Sequence, residues 1–245
     1  MVMEFLKTYP TQRAGVLHWK MGRTRYRRLL KQNVQIMERS LPDFDINDRF
    51  KENVEPSGLF GRVFSVVDAT ELEIEKPMQG ETPSERWIFQ KVWYSFKKRM
   101  WAIKYQVLVS VVSGRILDVS PSFPGKVHDK KMWDEWMEQF DHDFTHEKVL
   151  ADKGYIGVPE CLCPVKKPVG GELTEDEKLF NKVIGSVRVI VEQVIGRIKR
   201  FSILKHRYRG ERSEHETIFR LCAKLANLSM QFSPVRSHAS EFLFD

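Results

Sequence analysis

A chain of 245 residues that is 42% hydrophobic and 30% charged is long enough, at roughly 100–200 residues per domain, for one substantial core with a small appendage. Its composition excludes collagen-like, low-complexity and wholly disordered readings, and its longest near-apolar runs, such as Val107-Leu108-Val109-Ser110-Val111-Val112, fall far short of the ~18 residues of a membrane-spanning helix. The formal charge of +7 points to an anionic partner.

That charge is unevenly spread. Residues 1–31 carry eight Lys and Arg against one acid, Glu4, and residues 196–212 carry seven (Arg197, Lys199, Arg200, Lys205, Arg207, Arg209, Arg212) against Glu211. Two basic segments therefore flank a more balanced middle, a distribution suited to nucleic acid. The opening Met1–Lys7 runs into Thr8-Tyr9-Pro10-Thr11 without the apolar core and cleavage site of a signal peptide, which predicts residence inside the cell. Three cysteines, an odd number, argue for reduced thiols. Cys161 and Cys163 lack a second pair at zinc-finger spacing, so all three cysteines are read as packing residues.

In residues 12–40, Leu17, Tyr26, Leu29, Leu30, Val34, Ile36 and Met37 recur at roughly helical spacing, with Gly22 as a turn. This outlines a helix-turn-helix with Arg23, Arg25, Arg27 and Arg28 on offer to phosphates, or equally a basic hairpin that only packs on the main domain. Residues 41–60, with Pro42, Pro56 and Gly58, read as a linker. From Gly61 strands begin: Val63–Val67 ends at Asp68, and Ala102–Val112 turns at Ser113-Gly114 and returns as Arg115–Val119, a hairpin. Residues 71–100 read as an irregular insertion. Asp129–Phe140 carries Met132, Trp133, Trp136, Met137 and Phe140 on one stripe, a core-facing helix. Lys148–Ala151 is a short strand ending at Asp152, and Leu173–Phe201 is mainly helical. The predicted class is an α/β mixed sheet flanked by helices. The expected organisation is an N-terminal helical region and linker (1–60), a sheet domain (61–212), and a C-terminal helix and tail (213–245).

Chemistry in such sheets gathers where strands end. Asp68 and Asp152 both stand where apolar strands stop, and in adjacent parallel strands their carboxylates share one space. Two carboxylates there repel unless a cation sits between them, and hard oxygen donors suit Mg²⁺ or Mn²⁺. Glu192 interrupts Val187, Val189-Ile190-Val191 and Val194-Ile195 on a helix expected to pack on the sheet, and is the third candidate ligand. Each has a plainer reading. The aspartates are ordinary turn residues, and Glu192 at i+4 from Arg188 is an ordinary helical ion pair. Asp129 is placed to cap the helix that follows, with a helper role for His128 and Asp129 as the alternative. His142 and His146, four apart, read as surface residues rather than a zinc pair, because no Glu follows the first. No phosphate-binding glycine loop is present, which argues against ATP-driven chemistry.

Four motifs in order carry a resemblance: Val67-Asp68-Ala69-Thr70-Glu71, Pro124-Gly125-Lys126-Val127-His128-Asp129, Ala151-Asp152-Lys153-Gly154-Tyr155, and Asn181 through Val187-Arg188-Val189-Ile190-Val191-Glu192 to Gly196-Arg197-Ile198-Lys199-Arg200. Together they resemble the DDE endonuclease domain of PIF/Harbinger-type transposases over about residues 61–209. The resemblance implies an RNase H-like fold and metal-dependent DNA cleavage, with Asp68, Asp152 and Glu192 matching the catalytic, metal-holding positions. His128 and Asp129 match a further characteristic pair and are accessory candidates. From its charge, Arg188 is read as orienting Glu192 or contacting DNA, and the basic segment Arg197, Lys199, Arg200, Lys205, Arg207 and Arg209 as holding the DNA backbone. The resemblance also implies nuclear residence in a eukaryote and cytoplasmic residence otherwise. Since only about 60 residues precede the domain, it implies either a truncated form or one that depends on a separate DNA-binding helper protein, and it leaves a homo-oligomer open. A domesticated DNA-binding protein that keeps the fold without cleavage is the alternative.

Overall fold

Eleven residues, none of them exposed, Val63–Glu73 (β1), form the strand on which the molecule is organised. In this computed structural model residues 1–51, 61–140, 144 and 146–235 are described. β1 pairs antiparallel with β3 (Met100–Ser110) on one side and parallel with β6 (Lys148–Leu150) on the other. β7 (Cys161–Leu162) extends the sheet parallel beyond β6. The short strands β2 (Tyr94–Ser95), β4 (Ile116–Val119) and β5 (Phe123–Pro124) all pair antiparallel with β3. The result is a seven-stranded mixed sheet flanked by helices, consistent with an RNase H-like fold.

The two-residue period of a strand sends alternate side chains to opposite faces, and two cores follow from it. Val66 and Leu72 of β1, Val107 and Val109 of β3 and Leu150 of β6 face the large core, which is closed by α6 (Glu175–Ile198) and α8 (Arg212–Met230). Val67, Leu108, Val149 and Ala151 face the smaller core, filled by Trp133 and Trp136 of α5 (Asp129–Met137) with Phe144 and Tyr155. The aromatic stripe of α5 thus packs as its spacing predicts. α6 starts at a capping box in which Thr174 and Glu177 each satisfy the other's backbone N–H. It buries Ile184, Val187, Ile190, Val191, Val194, Ile195 and Ile198.

The N-terminal helices α1 (Val2–Thr8), α2 (Gln12–His18) and α3 (Arg23–Ser40) lie before the sheet, with Gly22 at the start of α3. α3 buries Tyr26 and Val34 and leaves its arginines exposed. Among the described residues no helix is long and apolar enough to cross a membrane.

Three local expectations are corrected. The run ending at Asp68 continues as strand to Glu73, because β3 pairs with it residue for residue from Ser65 to Glu73. The supposedly irregular insertion holds a helix, α4 (Pro83–Trp93), opened by a second capping box between Thr82 and Glu85 with Pro83 in the first turn. Part of the supposed linker is fixed: Ile46–Phe50 forms a 3₁₀ turn that buries Arg49, whose guanidinium Nε donates to Glu147 at 2.8 Å just before β6. Residues 52–60 of that linker, and His142 of the histidine pair, lie outside the described residues. Arg49 is fully buried and Glu147 10% exposed, so the pair has left water, and removing one member of such a pair typically costs ~3–5 kcal/mol. Glu147→Ala is expected to lower unfolding free energy by at least about 3 kcal/mol, read by urea denaturation. An unchanged midpoint would show that the contact contributes nothing.

Candidate active site

The register of β1 and β6 sets the site. Val66 is opposite Leu150, and both side chains face the large core. Two residues further along each chain stand Asp68 and Asp152, so both carboxylates leave the sheet on the face covered by α6, at the end where β6 stops. β1 runs on past them. Asp68 accepts from the Ala69 N–H at 2.8 Å, and the Asp152 carboxylate accepts from the Lys153 N–H as the chain turns. The plainer reading of Asp152 as a turn residue is therefore true of its local bonding without excluding a role at the strand end.

Burial raises the Asp68 carboxyl above its ordinary range. The Arg188 guanidinium opposes this, and the acidic neighbours Asp152 and Asp129 add to the rise. Arg188 of α6 approaches Asp68 to 3.9 Å, rather than forming the i,i+4 pair with Glu192. Glu192, one turn further along the same face of α6, is exposed. Among the described residues no three His, Cys, Asp or Glu side chains are drawn together tightly enough to hold a metal ion. Asp68 and Asp152 nevertheless fit a divalent cation by donor type and by position, as half-buried hard oxygens whose mutual repulsion a cation relieves. Glu192, exposed one turn after Arg188 on α6, is a hard oxygen donor of the same type.

The opposite face of the same strand end carries a second polar group that the sequence reading missed. Lys104 of β3, only 5% exposed, donates to Asp129 Oδ1 at 2.6 Å and to the Val127 carbonyl at 2.8 Å, and lies 3.9 Å from Glu71. Gln106 Nε2 donates to the Asp129 carbonyl at 2.8 Å and to the Tyr155 hydroxyl at 2.7 Å. Burial, then the charges of Asp129 and Asp68, push the Tyr155 phenol well above its usual value, which keeps it neutral. Asp129 does not cap α5. His128 occupies the N-cap position, exposed and without a side-chain cap bond, because the Asp129 carboxylate is taken by the buried Lys104 ammonium, a stronger partner than a backbone N–H. Gly154 lies under that carboxylate: a Cβ there would stand 3.0 Å from Asp129 Oδ2. A signal for Lys104 and Gln106 existed. They interrupt Ala102–Val112 as Glu192 interrupts α6.

The basic segment after Glu192 does not continue as one helix. α6 ends at Ile198, and a short α7 (Ser202–Lys205) precedes α8. The Lys199 ammonium donates to the Glu71 carbonyl at 3.3 Å. Burial and the nearby Lys98 lower its pKa, while Glu71 and Asp68 act against that fall. Lys199 therefore points into the site from the helix end. Arg200 and Lys205 are exposed. Arg197 donates to the carbonyls of Ser233 and, at 3.0 Å, Pro234. Arg207 pairs with Glu73 at 2.7 Å, and Arg209 lies over the Tyr9 ring and donates to the Tyr9 carbonyl at 2.8 Å. The three cysteines are unbridged, with Cys222 buried and Cys161 and Cys163 half-buried.

A mixed sheet flanked by helices, with Asp68 on β1, Asp152 just past the end of the parallel β6 and Glu192 on the helix that packs on this face, is consistent with an RNase H-like fold. The chain belongs to the DDE superfamily endonucleases, which it matches over residues 67–227, a span that includes Asp68, Asp152 and Glu192. It is also 30% identical over 149 residues to the probable transposase for insertion sequence element IS702 from Microchaete diplosiphon, across 59% of this chain and 49% of that protein. The chain thus spans about half the length of the curated relative it matches. No solved structure matches it significantly.

Because the Asp68 carboxyl is raised above its unfolded value, its contribution to stability is present at acid pH, below the ordinary carboxylate range, and is lost as pH rises through the folded value. Asp68→Asn, uncharged and of the same shape, is therefore expected to raise the melting temperature of metal-free protein at neutral pH, with the gain fading as pH falls below 4. Calorimetry at the two pH values checks this; a lower melting temperature at pH 7 would contradict it.

Proposed function

We propose that this protein is a metal-dependent DNA transposase or transposase-derived nuclease that breaks phosphodiester bonds and, in a second step, presents a free 3′-OH for strand joining. The observation that carries the reading is that Asp68 and Asp152 each stand two residues past the registered pair Val66 and Leu150 on parallel strands, beside Arg188 of α6. Membership of the endonuclease family and the transposase relative support it. The four motifs and their order support a PIF/Harbinger-type kinship within it.

In this reading Asp68, Asp152 and Glu192 hold Mg²⁺ or Mn²⁺. Such ions, when bound, activate a water and stabilise charge on the leaving oxygen of the phosphodiester. The chain's own side chains do the rest. Arg188 neutralises and orients Asp68, and Glu192 follows it on the same helix face. Lys199, held by the Glu71 carbonyl, supplies a fixed positive charge for a phosphate oxygen of the scissile strand. Lys104 ties Asp129, and with it the start of α5, to the sheet beneath Asp68, so the strand end keeps its shape when a charged substrate enters. Arg200 and Lys205, exposed beyond α6, lie along the DNA backbone. Arg197, Arg207 and Arg209 reach the same backbone from where they brace the segment. A homo-oligomer and a DNA-binding helper protein belong to the same reading.

Plasmid relaxation tests it. Purified protein with supercoiled DNA and Mg²⁺ or Mn²⁺ is expected to nick. Loss of one ligand forfeits several kcal/mol of charge stabilisation, so Asp152→Ala and Glu192→Ala each lower the rate by about a thousandfold. Binding without nicking in either metal would overturn the enzyme and leave a domesticated DNA-binding protein. Nicking that survives Asp152→Ala would overturn the assignment of the site.

A further inference from the structure

The hairpin formed by β2 and β3 ends in a four-residue turn, Phe96-Lys97-Lys98-Arg99, that the catalytic reading does not use. Tyr94 pairs with Trp101 and Ser95 with Met100, leaving these four at the tip. All four are exposed, Phe96 at 68%. The turn is built: the Ser95 hydroxyl accepts from the Lys98 N–H at 3.2 Å, and Arg99 closes it at φ 54°, in the left-handed region. An aromatic ladder supports the ring. Phe96 meets Tyr94 edge-on at 5.1 Å, and Tyr94 meets Trp101 at 5.6 Å. The base is fixed by Gly125, where a Cβ would come within 2.6 Å of the Trp93 carbonyl, so the strand carrying Phe123 and Pro124 can lie close.

The tip lies beyond Met100, seven residues along β3 from Val107, the partner of Asp68, and the Lys199 ammonium, bonded to the Glu71 carbonyl, lies between the two. Three consecutive cations, no acid between Tyr94 and Trp101, and a large ring presented to solvent on the same sheet as the candidate centre match a polyanion with flat apolar faces. An aromatic ring within a cationic strip is how proteins hold single-stranded nucleic acid: backbone charge meets the cations and a base stacks on the ring. A paired base is already stacked and has no free face to give.

We propose that this hairpin is a DNA contact in its own right, in which Lys97, Lys98 and Arg99 take phosphates a few nucleotides from the scissile bond and Phe96 stacks on a base that is unpaired there. The proposal rests on the DNA-cleavage reading and deepens it. The preferred substrate is a frayed or distorted duplex end rather than a continuous duplex.

The test uses the full chain in EDTA, so that binding is read without cleavage. Two labelled duplexes are compared, one fully paired and one with a short unpaired segment containing 2-aminopurine. Wild-type protein is expected to prefer the unpaired substrate and to quench the probe. Phe96→Ala is expected to lower affinity for that substrate about tenfold and abolish the quenching, leaving paired duplex unaffected, while Phe96→Trp restores both. Replacing Lys97, Lys98 and Arg99 by Ala is expected to weaken binding to both duplexes and reduce the slope of log affinity against log salt by about 2. An unmoved preference and undiminished quenching in Phe96→Ala, or an unmoved salt slope in the triple variant, would overturn the hairpin's role. Mg²⁺-dependent nicking on the same preparation separates the two readings. Nicking with an unmoved preference overturns the hairpin alone, and Phe96-dependent binding without nicking overturns cleavage alone.

Discussion

The parallel pairing of β1 with β6 is the constraint on which the rest of the molecule depends. A parallel pair cannot be closed by a tight turn, so the chain between the two strands must travel across the sheet and back. It does so through α4, β3, the short strands and α5, and Lys104, Gln106 and Asp129 all lie on that excursion. Once Val66 and Leu150 are in register, the two-residue period leaves no freedom over where Asp68 and Asp152 emerge. A slip of one residue in either strand would send one carboxylate to the α5 side and separate the pair across the thickness of the sheet.

Placing charge at such a point has a cost that the surroundings offset. Burial disfavours the ionised Asp68, and its acidic neighbours disfavour it further. Around these acids the fold sets three cations that reach in from different elements: Arg188 from α6, Lys104 from β3 and Lys199 from the end of α6. Each is itself largely removed from water, and each is held by a carboxylate or a carbonyl. The candidate centre is thus a set of charges each held by a defined partner.

Much of this was legible in the sequence, for identifiable reasons. The β-branched runs and the aromatic stripe of α5 have short periods that sequence displays directly. Asp68, Asp152 and Glu192 stood out because each breaks an apolar pattern. Lys104 and Gln106 break one as well, but a lysine inside a strand reads as a solvated edge residue until its neighbours are known, and Asp129, 25 residues away, cannot be seen from it. The same distance effect hid the true role of Asp129. Capping is a local inference, and the local preference lost to a buried ammonium brought in by the tertiary fold. The capping box at Thr82 and Glu85 was readable and overlooked, because the prolines and glycine around it suggested irregularity. Which arginines of the segment after Glu192 hold the protein's own carbonyls, and which face outward, depends on where residues 233 and 234 and Tyr9 come to rest. No spacing rule contains that.

One consequence follows from the unequal lengths of β1 and β6. Because β1 outruns its parallel neighbour, the stretch from Ala69 to Glu73 would present an unprotected border of amides and carbonyls, the kind of template on which foreign chains accrete. Here Lys199 occupies the carbonyl of Glu71, and Tyr208 pairs with the backbone at Glu73 and Glu75. The segment after α6 therefore also serves as a seal, keeping copies of the protein from adhering to one another along that border.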